Sequence, residues 1–323
     1  AAREADSDAA RKRIGVVEGG LRYGSYVIQA HAMSRHLMDA RIRSEKDARD
    51  VLRLAAQISE LGQQRRLFWK AAAERDDLLG ETVRGLGDMG YLASGQIAAV
   101  EGGAWVGAIR ALGWYAARDP EKVDAVVTET AGLAPGSDVG RLLRAWAATL
   151  REKPQNLLAN GDFEKQGANQ APPEKDWQTE GAPPSWSVWS RTPGTRFAVL
   201  GGKGCSGPAA ASITGAEGAC YLQNVPVKSG ERYLCSVRVK RQGKSGASLQ
   251  VRFRTPSGAW HSKREFEPQM QAAGDESDWQ LLVVMVEVPE GAGNAVVMLG
   301  ASGQEQGATT LFDDTRFLRV PEE

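Results

Sequence analysis

Apolar residues recur at helical spacing through the first half of the chain. Ile14, Val17 and Leu21 fall close to a 3.6-residue period inside a stretch that we expect to be helical over residues 8–40. The same period returns in four further stretches, at about 44–79, 94–118, 120–132 and 137–151. These patterns predict a helical bundle over residues 1–152.

The second half of the chain changes to a two-residue alternation. In Arg232–Lys240 and again in Ser248–Arg254, every second residue is apolar and the intervening ones are mostly polar. Further short β-branched or aromatic runs between turn signals predict strands at about 185–190, 197–200, 209–213, 219–225, 280–288, 295–300 and 309–318. A first strand and a Pro/Gly-rich loop are expected within 154–184. Nine or ten strands without helices favour a β-sandwich over residues 155–323.

The charge balance and hydropathy of the chain argue against nucleic-acid and membrane partners. The 323 residues suffice for two ordinary domains, and Lys plus Arg equals Asp plus Glu at 40 each. No bulk charge therefore attracts nucleic acid or an anionic membrane. No apolar run approaches the roughly 18 residues that span a bilayer, and the polar opening AAREADSDAARKR is no signal peptide. We expect neither a nucleic-acid nor a membrane partner, and we expect a cleavage or chain boundary before Ala1.

The three cysteines form no metal-binding motif. Cys205, Cys220 and Cys235 are evenly spaced, and no CxxC pair is present. Three buried thiols are the favoured interpretation, because free Cys often behaves as a small core residue. One disulfide with one free thiol is the alternative.

Five short motifs follow one another in the second half. They are NLLANGDFE at 156–164, Pro184-Ser185-Trp186, Leu222-Gln223-Asn224-Val225 before Ser229-Gly230-Glu231-Arg232-Tyr233, Trp279 ahead of Val288-Pro289-Glu290-Gly291, and Leu311-Phe312-Asp313-Asp314. In this order they resemble the carbohydrate-binding modules grouped as families four, nine and twenty-two, over about residues 155–320. The resemblance implies a jelly-roll β-sandwich that binds a polysaccharide without catalysing a reaction.

The resemblance also implies a structural calcium ion. In such modules a glutamate of the first strand and an aspartate of the last strand help to bind Ca²⁺, and these correspond to Glu164 and Asp313, with the carbonyl of Asp162 as a further ligand. Calcium is a hard cation that takes six to eight oxygens. The alternative is that both acids are solvated or paired with Lys or Arg. A catalytic carboxylate pair is disfavoured, because the family places these strands away from the sugar.

Alternation predicts which side chains face a sugar. If Cys220 and Leu222 point into the core, Tyr221 and Gln223 point outward. If the three neighbouring strands share one sheet, the same face also carries basic and amide side chains that could bind hydroxyl or carboxylate groups, namely Arg238, Lys240, Gln250, Arg252 and Arg254. A loop tryptophan, Trp260 or Trp177, could serve as a stacking platform. The candidate binding residues are Tyr221, Gln223, Arg238, Gln250, Arg252 and Trp260. The basic strip suits an anionic polysaccharide, and the alternative is an ordinary solvated sheet face.

The opening stretch ARKRIGVVEGGLRYGSYVIQA more loosely resembles the helical region that follows the catalytic barrel in large glycoside hydrolases. That resemblance implies an accessory region of a secreted or periplasmic enzyme, whose catalytic domain lies upstream. Two rival functions stay open. The sandwich could pack against the helical domain or a partner without binding sugar. The chain could also be an enzyme itself, although the sequence shows no paired-carboxylate or nucleophile constellation.

Overall fold

Six helices make up the described part of the N-terminal half. The computed structural model describes residues 7–85, 90–165, 167, 181–262, 267–272 and 278–321. The helices are α1 (Asp8–Asp39), α2 (Glu45–Ala73), α3 (Leu78–Gly85), α4 (Gly90–Arg118), α5 (Val123–Leu133) and α6 (Asp138–Glu152). The predicted helical half is confirmed. None of the described helices is both long and apolar enough to cross a membrane.

The start of α2 follows from its sequence. The Ser44 hydroxyl accepts a hydrogen bond from Asp47 N at 3.2 Å, and Asp47 Oδ2 accepts one from Ser44 N at 2.9 Å. This reciprocal capping satisfies two backbone donors that the first turn leaves without an intrahelical partner. Farther along, Val51, Leu52 and Ile58 are buried on one side of the helix. Through such residues α2 packs against α1 and α4.

The expected single helix over residues 44–79 is wrong at residues 74–77. Helix α2 ends at Ala73 and α3 begins at Leu78. Between them, Asp77 Oδ1 accepts a hydrogen bond from Gly80 N at 3.1 Å, and its other oxygen pairs with Arg75. An Asp side chain that caps a new helix competes with continuation of the preceding one, and the apolar period alone does not reveal this competition.

Ten strands form two antiparallel sheets in the described part of the second half. They are β1 (Ser187–Ser190), β2 (Arg196–Gly201), β3 (Ala209–Thr214), β4 (Gly218–Pro226), β5 (Arg232–Gln242), β6 (Gly246–Arg254), β7 (Gln269–Gln271), β8 (Gln280–Glu287), β9 (Asn294–Ser302) and β10 (Thr309–Arg319). Sheet A has the order β1-β4-β9-β6-β7, and sheet B has the order β2-β3-β10-β5-β8. The predicted jelly-roll β-sandwich is confirmed.

An aromatic cluster fills the space between the sheets. Tyr221 of sheet A is fully buried, and its ring centroid lies 5.2 Å from that of Phe197 in sheet B. The same ring lies 6.1 Å from Phe163, which in turn lies 5.2 Å from Trp186. Large aromatic side chains contribute much of the apolar area that a core buries. The cluster therefore joins both sheets to the segment that precedes β1.

The expected first strand is wrong for the described residues of 154–184. Residues 155–158 run beside β10, but the side chain of Asn156 replaces part of the backbone ladder. Asn156 Oδ1 accepts from Phe317 N at 2.9 Å, and Leu157 N donates to Phe317 O at 3.0 Å. Since an amide side chain carries both a donor and an acceptor, it can mimic a peptide group. The apolar pair that follows Asn156 therefore looks like the start of a strand in the sequence. The sequence does not show that a side-chain amide takes the place of a backbone peptide group here.

All three cysteines are free thiols. Cys220 and Cys235 are buried, as expected, whereas Cys205 is exposed in the loop between β2 and β3. The expectation of a buried thiol is therefore wrong for Cys205. Burial raises the pKa of the Cys220 thiol to about 12, because a low-dielectric environment disfavours the thiolate.

The chain divides into two units, residues 1–144 and 145–323. This division falls inside α6, whereas the change in composition places the boundary between residues 152 and 155. The domain boundary stays a prediction, and a fragment tests it.

We expect residues 155–323 to fold without the helical half, because the sandwich has its own aromatic core. The isolated fragment should give a β-type circular dichroism spectrum and one cooperative thermal transition. A non-cooperative melt, or a helical spectrum, would show that the boundary is misplaced.

Candidate functional site

The three strands expected in one sheet are divided between two. Strands β4 and β6 both pair with β9 in sheet A, whereas β5 pairs with β10 and β8 in sheet B. The short turn at residues 243–245 therefore crosses from one sheet to the other, as connections in jelly rolls do. Arg238 on β5 lies on sheet B, with its Nε 4.0 Å from Asp314 Oδ2. Its expected position beside the β6 side chains is wrong.

Tyr221 and Gln223 point into the sandwich rather than outward. The Tyr221 hydroxyl donates to Ser212 O at 2.8 Å, and Gln223 exchanges two hydrogen bonds with the backbone of Ala159, at 2.8 and 2.9 Å. A polar Gln in an inward position makes the alternation of β4 appear shifted by one residue. The outward orientation expected for both residues is wrong, and neither reaches the outer face of sheet A.

Gln250, Arg252 and Trp260 do share that outer face, which is the face of sheet A that points away from sheet B. Gln250 and Arg252 alternate along β6 with the fully buried Val251 and Phe253. Since successive side chains of a strand point to opposite faces, the burial of one set directs the other set outward. Three of the six predicted binding residues are therefore brought together.

A cross-strand row passes through Gln250 on the outer face. Residues that pair across an antiparallel sheet have their side chains on the same face. From one edge of sheet A to the other, the row consists of Ser187, Leu222, Met298, Gln250 and Gln269. Five strands at about 4.8 Å spacing make this row roughly 19 Å long. It offers apolar contact near its centre and amide groups toward β7.

The hairpin that follows β6 positions Trp260. Gly258 N donates to Thr255 O, and Thr255 N donates to Ala259 O, both at 2.9 Å. Gly258 has φ 88°, the left-handed conformation that a three-residue hairpin loop requires at its last position. The chain then returns to form a bridge between Trp260 and Arg254.

Trp260 is the one exposed side chain among the Phe, Tyr and Trp residues that the structure describes, with 43% of its surface accessible. Two guanidinium groups contact its ring. The Cζ of Arg252 lies 4.1 Å from the ring centroid, and that of Arg254 lies 4.4 Å from it. Both distances are within the range of cation–π interaction.

An acid holds one of these arginines. Arg252 Nε lies 3.0 Å from Glu267 Oε2, and the Glu267 side chain is 5% exposed. Since surrounding atoms shield this pair from water, removal of either partner would leave an uncompensated charge in a poorly solvated place. The pair therefore fixes the guanidinium of Arg252 beneath the indole of Trp260.

Several residues of this face were missed as binding candidates. Arg254 was expected to point outward with Arg252, by alternation along β6, but was not chosen as a binding candidate. Trp189 is half-buried at the edge of the face, where it pairs with Cys220. The sequence did not indicate that Gln269 lies on this face, because the three residues of β7 are too few for a periodic pattern. A second loop candidate, Trp177, lies outside the described residues.

Glu164 and Asp313 hold one loop, between β2 and β3. Asp313 is fully buried, and its Oδ2 accepts hydrogen bonds from the backbone N–H groups of Cys205 and Ser206 at 2.7 and 3.0 Å. Glu164 Oε1 accepts one from Ala209 N at 2.9 Å. Charge-assisted bonds of this kind are stronger than neutral ones. The two acids form a clasp on the loop from distant parts of the chain.

The expected calcium site stays a prediction. Backbone N–H donors bond to one oxygen of each carboxylate, and a cation would have to displace these hydrogen bonds to bind Asp313 Oδ2 or Glu164 Oε1. Asp162 is exposed, and its Oδ1 accepts from Glu164 N at 3.3 Å. In the described part of the chain, no group of three or more His, Cys, Asp or Glu side chains is arranged to hold a metal ion.

Among known proteins, only solved structures are similar to this chain in our comparisons. No family model matches the chain, and no curated protein matches it. The enzymatically active domain of bacteriophage CBA120 tailspike protein 4 is 13% identical with a TM-score of 0.38, over 51% of this chain and 21% of that one. The matched part thus spans about a fifth of the tailspike domain.

Two smaller proteins match along most of their length. A family 61 carbohydrate-binding module, solved with β-1,4-galactotriose, is 16% identical with a TM-score of 0.35, over 51% of this chain and 99% of that one. The CBM22-1 xylan-binding domain of Paenibacillus barcinonensis Xyn10C is 17% identical with a TM-score of 0.33, over 45% and 91%. At these values the likenesses carry no argument about function, which has to be inferred from the side chains.

The buried position of Tyr221 predicts a large loss of stability on truncation. Tyr221→Ala should lower the free energy of unfolding by about 3–5 kcal/mol, as for other buried aromatic residues. Tyr221→Phe should lower it by about 1 kcal/mol, because Ser212 O loses a donor. Denaturant titration measures both, with Trp260→Ala as the exposed aromatic control. A Tyr221→Ala variant as stable as the wild type would contradict the inward orientation.

Proposed function

We propose that the sandwich binds polysaccharide, without catalysis, on the outer face of sheet A. The observation that carries this proposal is the exposed indole of Trp260 beside the outward side chains of β6. A solvent-exposed tryptophan held in place by a hairpin is a common means of recognition, since its apolar body gives contact area at low entropic cost. Gln250 and Arg252 supply hydrogen-bonding groups on the same face.

The chemistry of this face suits a chain of sugar rings. The apolar face of a pyranose stacks on an aromatic ring, and its hydroxyl groups bond to amides and guanidinium groups, which present paired donors or acceptors. The amide side chain of Gln250 lies in the cross-strand row with Leu222 and Met298. An open row of this kind can follow an extended ligand across several strands.

We further propose the accessory role that the resemblances imply. In this proposal the chain is the C-terminal part of a secreted or periplasmic glycoside hydrolase, and it keeps an upstream catalytic domain near its polysaccharide. The support is the opening sequence at residues 10–30 together with the order of motifs in the sandwich. Glycan binding can be tested on this chain directly, before the upstream domain is known.

One observation favours the structural alternative. Both guanidinium groups already contact the Trp260 ring, which is also what a purely structural surface tryptophan would show. A structural tryptophan and a binding tryptophan respond differently to polysaccharide. Binding measurements on surface variants therefore separate the two functions.

Trp260→Ala should abolish or strongly weaken retardation of the protein in gels that contain its polysaccharide. The removed stacking surface is worth on the order of 1 kcal/mol or more. Gln250→Ala should weaken retardation less, because it removes hydrogen bonds that water partly replaces. Affinity electrophoresis against neutral and uronic-acid-containing polysaccharides measures both effects.

Leu157→Ala is the matched control for affinity electrophoresis, since Leu157 is also an exposed apolar side chain, 41% accessible, but lies beside β10 of sheet B. Its variant should run as the wild type does. Retardation that survives Trp260→Ala would show that the ligand binds elsewhere, and a wild type that no glycan retards would favour the structural alternative.

Calcium at Glu164 and Asp313 is a separate proposal. An ion that binds only the folded state should raise the melting temperature in calcium relative to chelator. Glu164→Ala should remove that difference. Equal melting temperatures of the wild type in calcium and in chelator would show that the hydrogen-bonded clasp needs no ion.

A further inference from the structure

The charges that the described residues place around Trp260 are not balanced. Arg252 pairs with Glu267, whereas the structure describes no carboxylate within 4.0 Å of the Arg254 guanidinium. Arg254 Nε is also buried and has no hydrogen-bond partner among the described residues. Among the side chains that the structure describes here, two guanidinium groups against one carboxylate leave one positive charge beside an exposed indole.

We infer that the site takes an acidic sugar, and that Arg254 binds its carboxylate. This inference rests on the proposed polysaccharide binding and names the class of ligand. A guanidinium presents its N–H donors in a planar fork that matches the two oxygens of a carboxylate. A uronic acid places such a carboxylate directly on the pyranose ring, so one sugar residue can contact the indole and the guanidinium together.

The geometry favours an acidic sugar over a neutral one. The guanidinium groups of Arg252 and Arg254 lie over the indole at 4.1 and 4.4 Å, so part of the ring surface is already covered. A neutral sugar that stacks on a face occupied by a guanidinium group would have to displace a cation–π contact. A carboxylate instead gains from the same cations, and no described residue offers Arg254 Nε an acceptor.

Glu267 serves as a positioning residue in this arrangement. Its buried carboxylate holds Arg252 and neutralises that charge, so the anion-binding role falls on Arg254. The two arginines are thus not equivalent, although both lie outward on β6. Loss of Arg254 removes the charge that the ligand needs, whereas loss of Glu267 releases Arg252 from its place.

Polygalacturonate and its fully methyl-esterified form are the matched probes, because they share one backbone and differ in charge. Isothermal titration with the full chain should show tighter binding of the acid form, on the order of ten-fold at low salt. Added salt should reduce this preference through screening. Arg254→Gln should abolish it, and Arg254→Lys should keep part of it, since the charge remains and the fork is lost.

Arg316→Gln is the control, because it removes an equal charge from an exposed arginine on β10 of the other sheet. It should retain the full preference for the acid form. A cooperative melt of each variant confirms that it is folded. Equal affinity of the wild type for acid and ester, or an Arg254→Gln effect of equal size on both, would overturn the inference.

Failure of the inference and failure of the proposed function give different results. Binding of neutral polysaccharides such as xylan, with no preference for acid over ester, overturns the acidic-sugar assignment and leaves the proposed function standing. Absence of binding to the two probes and to every neutral polysaccharide overturns both.

Discussion

The burial of Tyr221 between the sheets is the constraint on which the rest of the sandwich depends. Its hydroxyl donates to Ser212 O of sheet B while its ring packs against Phe197 and Phe163. A hydroxyl left without a partner in this core would cost more than an ordinary hydrogen bond contributes net. Reversal of the faces of β4 would also remove the Tyr221 ring from the aromatic cluster. Once Tyr221 points inward, the register of β4, β9 and β6 directs Gln250 and Arg252 outward.

Polar side chains, rather than backbone ladders, attach the irregular segments to the sheets. Asn156 bonds to β10, Gln223 to the backbone of Ala159, and Asp313 with Glu164 to the loop between β2 and β3. Each satisfies backbone donors or acceptors that the strand ladders leave without a partner. In a sequence the same residues look like ligands for a sugar or a metal, because both roles need amides and carboxylates.

The two-residue period was sufficient to predict most strands and the sandwich class, since burial of one face imposes it. It was insufficient for the site. Alternation predicted the outward position of Gln250 and Arg252 correctly, because Val251 and Phe253 between and after them are apolar. In β4 the inward residue Gln223 is polar, so alternation assigned the two faces of that strand the wrong way round. Sheet membership of Arg238 depends on long-range pairing of β5 with β10, which local periodicity does not contain. The position of Trp260 depends on one loop, and the Thr-Pro-Ser-Gly sequence of that loop does predict a turn.

The hairpin at residues 255–259 can change in sequence or length more freely than strand β6 can. Strand β6 is held on one side by its core residues Val251 and Phe253, so its outward side chains keep their spacing as long as the fold survives. Trp260 is bridged to Arg254 of β6, but its position along that strand also depends on a loop that two backbone hydrogen bonds close. Exchanges or insertions in this loop would move the indole relative to a fixed row of polar groups. Ligand preference can therefore diverge among descendants of this chain at little cost to folding.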